Sequence, residues 1–326
     1  MRPPGVRYQI SRFTAIVLGF MSIPQTVYKG HGTGNDFVVY ADPDGEYEPT
    51  GDEIRFLDDR HFGVGGDGLL RLTHPRHVSD LDAGRVAAFE AAGVDWFMDY
   101  RNADGSLAEM CGNGTRVTAL FAQMMGYAAG PGGEPFRLGT RAGVKTLTSL
   151  GAVEGLGRNV FRIDMGAWSC GATRTFGVTV PGHEGSARGT FVDMGNPHVV
   201  AVLEDLSGNG LADDASLGTV DGLDLTAKPV VDPVLESDQN AEFVRVESID
   251  RVADHGTAFM RVNERGCGET LSCGTGLCAT AVTLRRLSGI DDWAIAVRGG
   301  TLMVHVDDGS VELTGDAAIV GRVELL

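Results

Sequence analysis

A pair of motifs recurs in this chain at almost constant separation. Gly34-Asn35 leads into Asp36-Phe37-Val38-Val39, and Gly195-Asn196 leads into Pro197-His198-Val199-Val200. Cys111-Gly112-Asn113-Gly114-Thr115 is echoed by Cys273-Gly274-Thr275-Gly276. Asn35 lies 76 residues before Cys111, and Asn196 lies 77 before Cys273. Two motifs in the same order at the same spacing imply two homologous halves. A two-copy repeat of this length means paired domains and not a solenoid.

The hydrophobic pattern fills in those halves. Alternating stretches at Arg137–Thr140, Val160–Met165 and Thr301–Val306 read as half-buried strands, punctuated by Asp-Gly turns at Asp104-Gly105 and Asp308-Gly309. A helical stretch follows each Cys-Gly-x-Gly. One spans about Thr115 to Tyr127, with Val117, Leu120, Phe121 and Met124 on its apolar face. The other spans about Thr275 to Leu287, with Leu277, Ala281, Val282 and Leu284. Gly126 and Gly289 supply C-terminal stops. Shorter helices are expected over Asp52–Arg60 and Gly84–Ala92. The fold class is therefore α+β: two β-rich, barrel-like domains, each around a central helix, with an interdomain cleft. Residues 1–21 read as a dispensable extension. Residues 22–156, with a C-terminal strand over about 317–326, form the first half, and 157–316 the second. The boundary falls in the turn-rich stretch Gly151–Asn159. Thr73–Asp95, which lengthens the first half, and Ser207–Asp224 both read as surface insertions.

Composition narrows the function. Of 326 residues, 43% are hydrophobic, enough for a core. The formal charge of −17 argues against nucleic-acid binding, which needs basic surface to displace counterions. The apolar run Phe13–Phe20 is too short to span a membrane. Five cysteines, odd in number and without a C-x-x-C pair, fit reduced thiols in the cytoplasm better than a disulfide framework or zinc site.

Cys111 and Cys273 each stand at a helix start, where unpaired N–H groups and the macrodipole favour negative charge. A thiolate there is expected to have a depressed pKa, and the same N–H groups can hold a carboxylate. Two such motifs facing across a cleft place two thiols on opposite sides of one bound molecule. That suits racemisation, in which one group removes an α-proton and another delivers one to the opposite face. Cys170, Cys267 and Cys278 lack the duplicated context and read as packing residues.

The residues then resemble a known family. Arg101-Asn102-Ala103-Asp104-Gly105-Ser106 through Cys111-Gly112-Asn113-Gly114 is similar to the first catalytic block of the diaminopimelate epimerases. Glu264-Arg265-Gly266 through Cys273-Gly274-Thr275-Gly276 is similar to the second, and His31–Phe37 and Met194–His198 resemble the two substrate loops. The resemblance covers roughly residues 26–326. It implies interconversion of LL- and meso-2,6-diaminopimelate on the route to lysine and peptidoglycan, with no cofactor and no metal. It implies a homodimer in the cytoplasm that binds a small molecule, with no membrane or nucleic-acid partner. It implies Cys111 and Cys273 as the catalytic pair. It implies substrate recognition by Asn35, Asn102, Asn196, Asn240, Glu264 and Arg265. Gly112, Asn113, Gly274 and Thr275 match the helix starts that hold the reacting carboxylate, and His198 and Glu264 match groups that tune the thiols. The chain departs from the pattern at Gly68, where some relatives carry a substrate-contacting Gln, and at Cys267.

Three other readings compete. Proline racemases and hydroxyproline epimerases share the paired cysteines, but typically carry His at the position of Asn113 and lack Glu264-Arg265-Gly266. A thiol redox protein would need the two sulfurs within bonding distance. A binding protein on the same fold would not need either thiol.

Overall fold

The computed structural model describes residues 22–212 and 215–326. The extension expected over residues 1–21 lies outside that range. The first run of strands is β1 (Thr26–Gly32), β2 (Asn35–Asp42), β3 (Gly68–Thr73), β4 (Trp96–Asn102), β5 (Phe136–Thr140), β6 (Gly143–Val153) and β7 (Gly157–Gly166). The second comprises β8 (Ser169–Cys170), β9 (Phe176–Thr179), β10 (Ala187–Asp193), β11 (Pro197–Asp205), β12 (Val230–Asp232), β13 (Asn240–Asp250) and β14 (His255–Glu264). It continues through β15 (Gly268–Thr270), β16 (Asp292–Val297), β17 (Gly300–Val306) and β18 (Val311–Asp316). β19 (Ala318–Glu324) returns to pair antiparallel with β1.

The two runs share one pairing scheme. β1–β2 and β10–β11 are antiparallel; β2–β3 and β11–β13 are parallel; β3–β4 and β13–β14 are antiparallel; β4–β5 and β14–β16 are parallel. β5–β6–β7 and β16–β17–β18 finish each run antiparallel. The two runs join where β7 pairs with β18. The turn-rich stretch Gly151–Asn159 forms the end of the β6–β7 hairpin, with Gly155 and Gly157 at positive φ.

Four α-helices punctuate the described strands: α1 (Gly51–Leu57), α2 (Ala83–Ala91), α3 (Gly112–Met124) and α4 (Gly274–Ser288). Each parallel crossover between β4 and β5, or between β14 and β16, passes through one of the two long helices. α3 packs against β1 to β5, β7, β18 and β19, and α4 against β10, β11, β13, β14, β16, β17 and β18. Residues Gly112–Ala122 of α3 are all buried. Val117, Leu120 and Phe121 share one core with Leu277, Ala281, Val282 and Leu284 of α4, each Val, Leu or Phe side chain removed from water stabilising by about 1.5–3 kcal/mol.

Three details differ from the pattern in the sequence. Both helices begin earlier than expected, at Gly112 and Gly274. The glycines have poor helix propensity, but packing overrides it, helped at α3 by the cap that Cys111 makes to the Gly114 N–H. Met124 lies beyond the buried run Gly112–Ala122 of α3 and is 53% exposed. Ser207–Asp224 is not merely a surface insertion: Leu217, Val220 and Leu223 enter a second core with Val199, Ala201 and Phe243. Thr73–Asp95 likewise carries a satellite core of Val78, Leu81, Phe89 and Val94 around Phe97.

Candidate active site

Cys111 is the N-cap residue of α3 and Cys273 that of α4; both have extended backbones at the point where the helix begins. The Cys111 Sγ accepts from the N–H of Gly114 at 3.5 Å. The two helix starts meet tip to tip. A Cβ on Gly274 would lie 3.4 Å from the Gly112 Cα, and Asn113 Nδ2 donates across the junction to the Ser272 carbonyl at 3.2 Å.

The Gly-Asn loops close on these tips. The Cys111 thiol donates to Asn35 Oδ1 at 3.4 Å, and Asn113 Nδ2 donates to the same oxygen at 3.3 Å. Asn35 Nδ2 donates to Asp67 at 2.7 Å. Because a carboxylate only accepts, Asp67 fixes which way the Asn35 amide faces. In the second half, Asn196 Nδ2 donates to Thr275 Oγ1 at 3.3 Å, and the Thr275 hydroxyl lies 3.5 Å from Cys273 Sγ. His198 is wholly buried between Glu242 (2.7 Å from Nδ1) and Asn196 Oδ1 (3.1 Å from Nε2). Asn240 Nδ2 lies 3.4 Å from the His198 ring, and its Oδ1 accepts from the Arg265 N–H at 2.8 Å. Glu264 accepts from the Thr270 hydroxyl and from the Cys273 thiol. Asn102 donates to Ser106 Oγ at 3.0 Å and sits opposite Gly68 in the ladder. The Arg265 side chain points outward and donates to the Ser237 carbonyl at 2.8 Å.

The thiols contradict one expectation. Helix position alone predicts depressed pKa values. Instead, burial pushes the Cys111 thiol up to about 11, aided by the charge of Glu264 and opposed by the Gly114 N–H and by Arg116. Burial, with Glu264 and Glu242 nearby, pushes the Cys273 thiol up as well. Desolvation outweighs the helix terminus because both sulfurs are largely withdrawn from water. Burial likewise raises the Glu264 carboxyl, against the thiol and hydroxyl bonds it accepts.

Other groups at the site were not singled out from the sequence. Glu242 backs His198, Asp67 orients Asn35, and Arg116 donates to Asn113 Oδ1 at 2.7 Å. Arg116 carried a usable signal, being a charge inside an apolar helical run. Glu242 and Asp67 carried none, since acidic residues are common in strands and turns. Gly68 leaves no room for a gap. A Cβ there would lie 2.5 Å from the Arg101 carbonyl oxygen and 2.8 Å from the Tyr100 ring. Cys267 is exposed, its N–H bonded to the Glu264 carbonyl at 3.1 Å. Among the described residues, no group of three or more His, Cys, Asp or Glu is arranged to hold a metal ion, and no helix is long and apolar enough to cross a membrane.

The model of the diaminopimelate epimerase family matches residues 27–166 and 190–320 of this chain. The chain belongs to the diaminopimelate epimerase family. Diaminopimelate epimerase of Streptomyces coelicolor is 40% identical over 318 residues, spanning 93% of this chain and 96% of its own length. That of Rhodococcus jostii is 38% identical, spanning 90% and 94%. Among solved structures, a phenazine biosynthesis protein of the PhzF family from Bacillus anthracis matches with a TM-score of 0.59. It shares 15% identity and spans 92% of this chain and 98% of its own. A hydroxyproline epimerase from Agrobacterium vitis matches at 0.56 with 13% identity, spanning 91% and 89%. Those two likenesses are of fold. The mostly β, two-domain α+β architecture expected from the duplication is that of the epimerase family.

Proposed function

We propose that this chain is a diaminopimelate epimerase, an isomerase that interconverts LL- and meso-2,6-diaminopimelate with Cys111 and Cys273 as its two bases. The observation that carries the reading is the meeting of two half-equivalent helix starts at one junction, each with a cysteine at its N-cap position. In the scheme, one thiolate removes the α-proton and the other thiol delivers its proton to the opposite face. The product leaves the two thiols with their protonation exchanged, and the reverse reaction uses them in swapped roles. The N–H groups of Gly112, Asn113, Gly274 and Thr275 face the reacting carboxylate and stabilise its enolate character. Asn35, Asn102, Asn196, Asn240, Glu264 and Arg265 recognise the rest of the substrate. His198 and Glu264 tune Cys273. No cofactor enters the scheme, and the protein works as a cytoplasmic homodimer.

The raised thiols support this reading. An α-proton is weakly acidic, so a strong base is needed, and a buried thiolate is a stronger base than an exposed one. Water exclusion also strengthens the donors around the carboxylate. Against the proline racemase reading stands Asn113, whose Oδ1 is held by Arg116 and whose Nδ2 bridges to Asn35 and Ser272.

The test is incubation of the reduced protein with LL-diaminopimelate in D₂O. The expected result is α-deuteration and meso product. Absence of exchange refutes the reading, and exchange on proline instead selects the rival.

A further inference from the structure

The common pairing scheme matches the two halves residue by residue, and the matched residues around the two thiols are unlike. Phe37 sits opposite Gly68 and Val39 opposite Leu70; His198 sits opposite Asn240 and Val200 opposite Glu242. His198 is therefore the counterpart of Phe37, and Glu242 that of Leu70. Both of the latter lie against the third residue after a cysteine. A Cβ on Gly114 would meet Leu70 Cδ2 at 3.2 Å, and one on Gly276 would meet Glu242 Oε1 at 2.7 Å. Asn102 sits opposite Gly68, and Glu264 follows Asn263, which sits opposite Ala241, so Asn102 and Glu264 also correspond. Five residues after each cysteine come Arg116 and Cys278, both wholly buried. One backbone frame thus carries opposite electrostatics. Phe37, Leu70, Asn102 and Arg116 hold the Cys111-side positions of that frame, and His198, Glu242, Glu264 and Cys278 hold the matching Cys273-side positions, although Glu264 also faces Cys111.

Arg116 itself is unusual. Its Nε donates to the Asp316 carbonyl (3.2 Å) and its Nη1 to the Gly112 carbonyl (3.1 Å). Its Nη2 donates to Thr33 Oγ1 (2.9 Å) and to Asn113 Oδ1 (2.7 Å). Every one of these acceptors is neutral. Buried guanidinium groups are ordinarily matched by a carboxylate, because hydrogen bonds to neutral oxygens leave the charge uncancelled. The titratable groups that sense this charge are Cys111, Cys278 and the Asp316 carboxyl. Asp316 Oδ1 is turned to the Asn159 N–H at 2.8 Å, and Cys278 lies inside α4. Cys111, which also faces Glu264 and Tyr100, is the one that borders the helix junction.

We infer that Arg116 is a positioning residue that reserves the thiolate for Cys111. Its uncancelled charge favours Cys111 in the ionised form against the opposing charge of Glu264, whereas Cys273 meets both Glu264 and Glu242, which keep its proton in place. Its bond to Asn113 Oδ1 turns the Asn113 amide so that Nδ2 reaches Asn35 and Ser272 across the junction. Both effects break a symmetry that the duplicated backbone would otherwise impose on the two thiols. The inference deepens the two-thiol reading and rests on it.

The test is site-resolved alkylation by iodoacetamide against pH, read by peptide mass spectrometry, with exposed Cys267 as the internal reference. For Arg116→Met, which removes the charge at similar length, alkylation of Cys111 at pH 8 should slow about tenfold, with its midpoint about one unit more alkaline. Cys267 should be unmoved. For Arg116→Lys, which keeps the charge and loses the fork, the Cys111 midpoint should stay near wild type, while kcat falls more than KM changes. A folded Arg116→Met variant with an unshifted Cys111 midpoint overturns the inference. So does an Arg116→Lys variant whose midpoint moves alkaline, and this arm decides the matter if the Met variant fails to fold. Alkylation needs no turnover. A wild-type protein without α-deuteration would therefore refute the epimerase reading while the alkylation profile still reported on Arg116.

Discussion

Gly299 lies so close to the Thr33 carbonyl oxygen that a Cβ at 299 would overlap it. Gly299 belongs to the turn between β16 and β17, and Thr33 to the loop between β1 and β2. The Gly299 N–H also donates to the Leu271 carbonyl at 3.1 Å, and the Thr33 hydroxyl accepts from Arg116. A turn of the second half is thereby held against the loop that carries Asn35. Gly299→Ala must push that loop away. Because misplacement by about 1 Å can cost on the order of 10²-fold in rate, kcat/KM for diaminopimelate should fall roughly 10- to 100-fold. Steady-state kinetics checks this; an unchanged kcat/KM would show that the loop's position is immaterial.

Cys111→Ala and Cys273→Ala each remove one of two obligatory proton carriers. Each variant should lose about 10³-fold or more in conversion of LL- to meso-diaminopimelate, the scale of positioned acid–base catalysis. Near-wild-type turnover in either variant, followed by chiral chromatography, refutes the two-base scheme.

Arg71 is wholly buried and bridges two buried carboxylates, Asp42 at 2.7 Å and Asp99 at 3.3 Å. Asp99 also receives Arg101 and Arg141, which hold its carboxyl below the usual range even though burial pushes it up. Removing one partner of a buried pair strands the other's charge. Arg71→Ala should therefore destabilise the protein by about 3–5 kcal/mol in urea unfolding. A loss under about 1 kcal/mol would mean that Arg101 and Arg141 suffice.

Asp58, at the end of α1, is 4% exposed, and neither carboxylate oxygen has a hydrogen-bond partner in the described protein. Burial raises its pKa to about 7, with Lys29 opposing. The folded state therefore prefers the neutral acid. Its stabilising contribution is fully present below the unfolded carboxyl pKa and is lost as pH rises through about 7. Asp58→Asn, which cannot ionise, should gain stability relative to wild type between pH 5 and pH 8, by about 2 kcal/mol. Urea unfolding at the two pH values checks the sign; a variant whose relative stability does not move with pH would refute the assignment.

Much of this protein was legible in its sequence because the decisive signals are local. A helix start needs a capping residue and small neighbours, so Cys-Gly-x-Gly announces itself twice. A constant spacing between motifs survives in the chain whatever its path, so the duplication and the α+β class can be read without coordinates. Helix boundaries were less legible. Gly112, Asn113 and Gly114 have weak propensity, and burial together with the Cys111 cap makes them helical. The satellite cores under Thr73–Asp95 and Ser207–Asp224 were also hidden, because scattered apolar residues in polar stretches show no period.

The sequence by itself determined which residues could do the chemistry: two thiols, two Gly-Asn loops and two capped helices. The tertiary structure decided what surrounds them. It placed Leu70 and Glu242 at matching positions beside the two helix starts, and it buried Arg116 with only neutral acceptors. It withdrew both thiols from water far enough to reverse the pKa direction that helix position alone predicts. The physical reason is that capping acts over one turn of chain, whereas desolvation and charge act through space, among residues that only folding brings together.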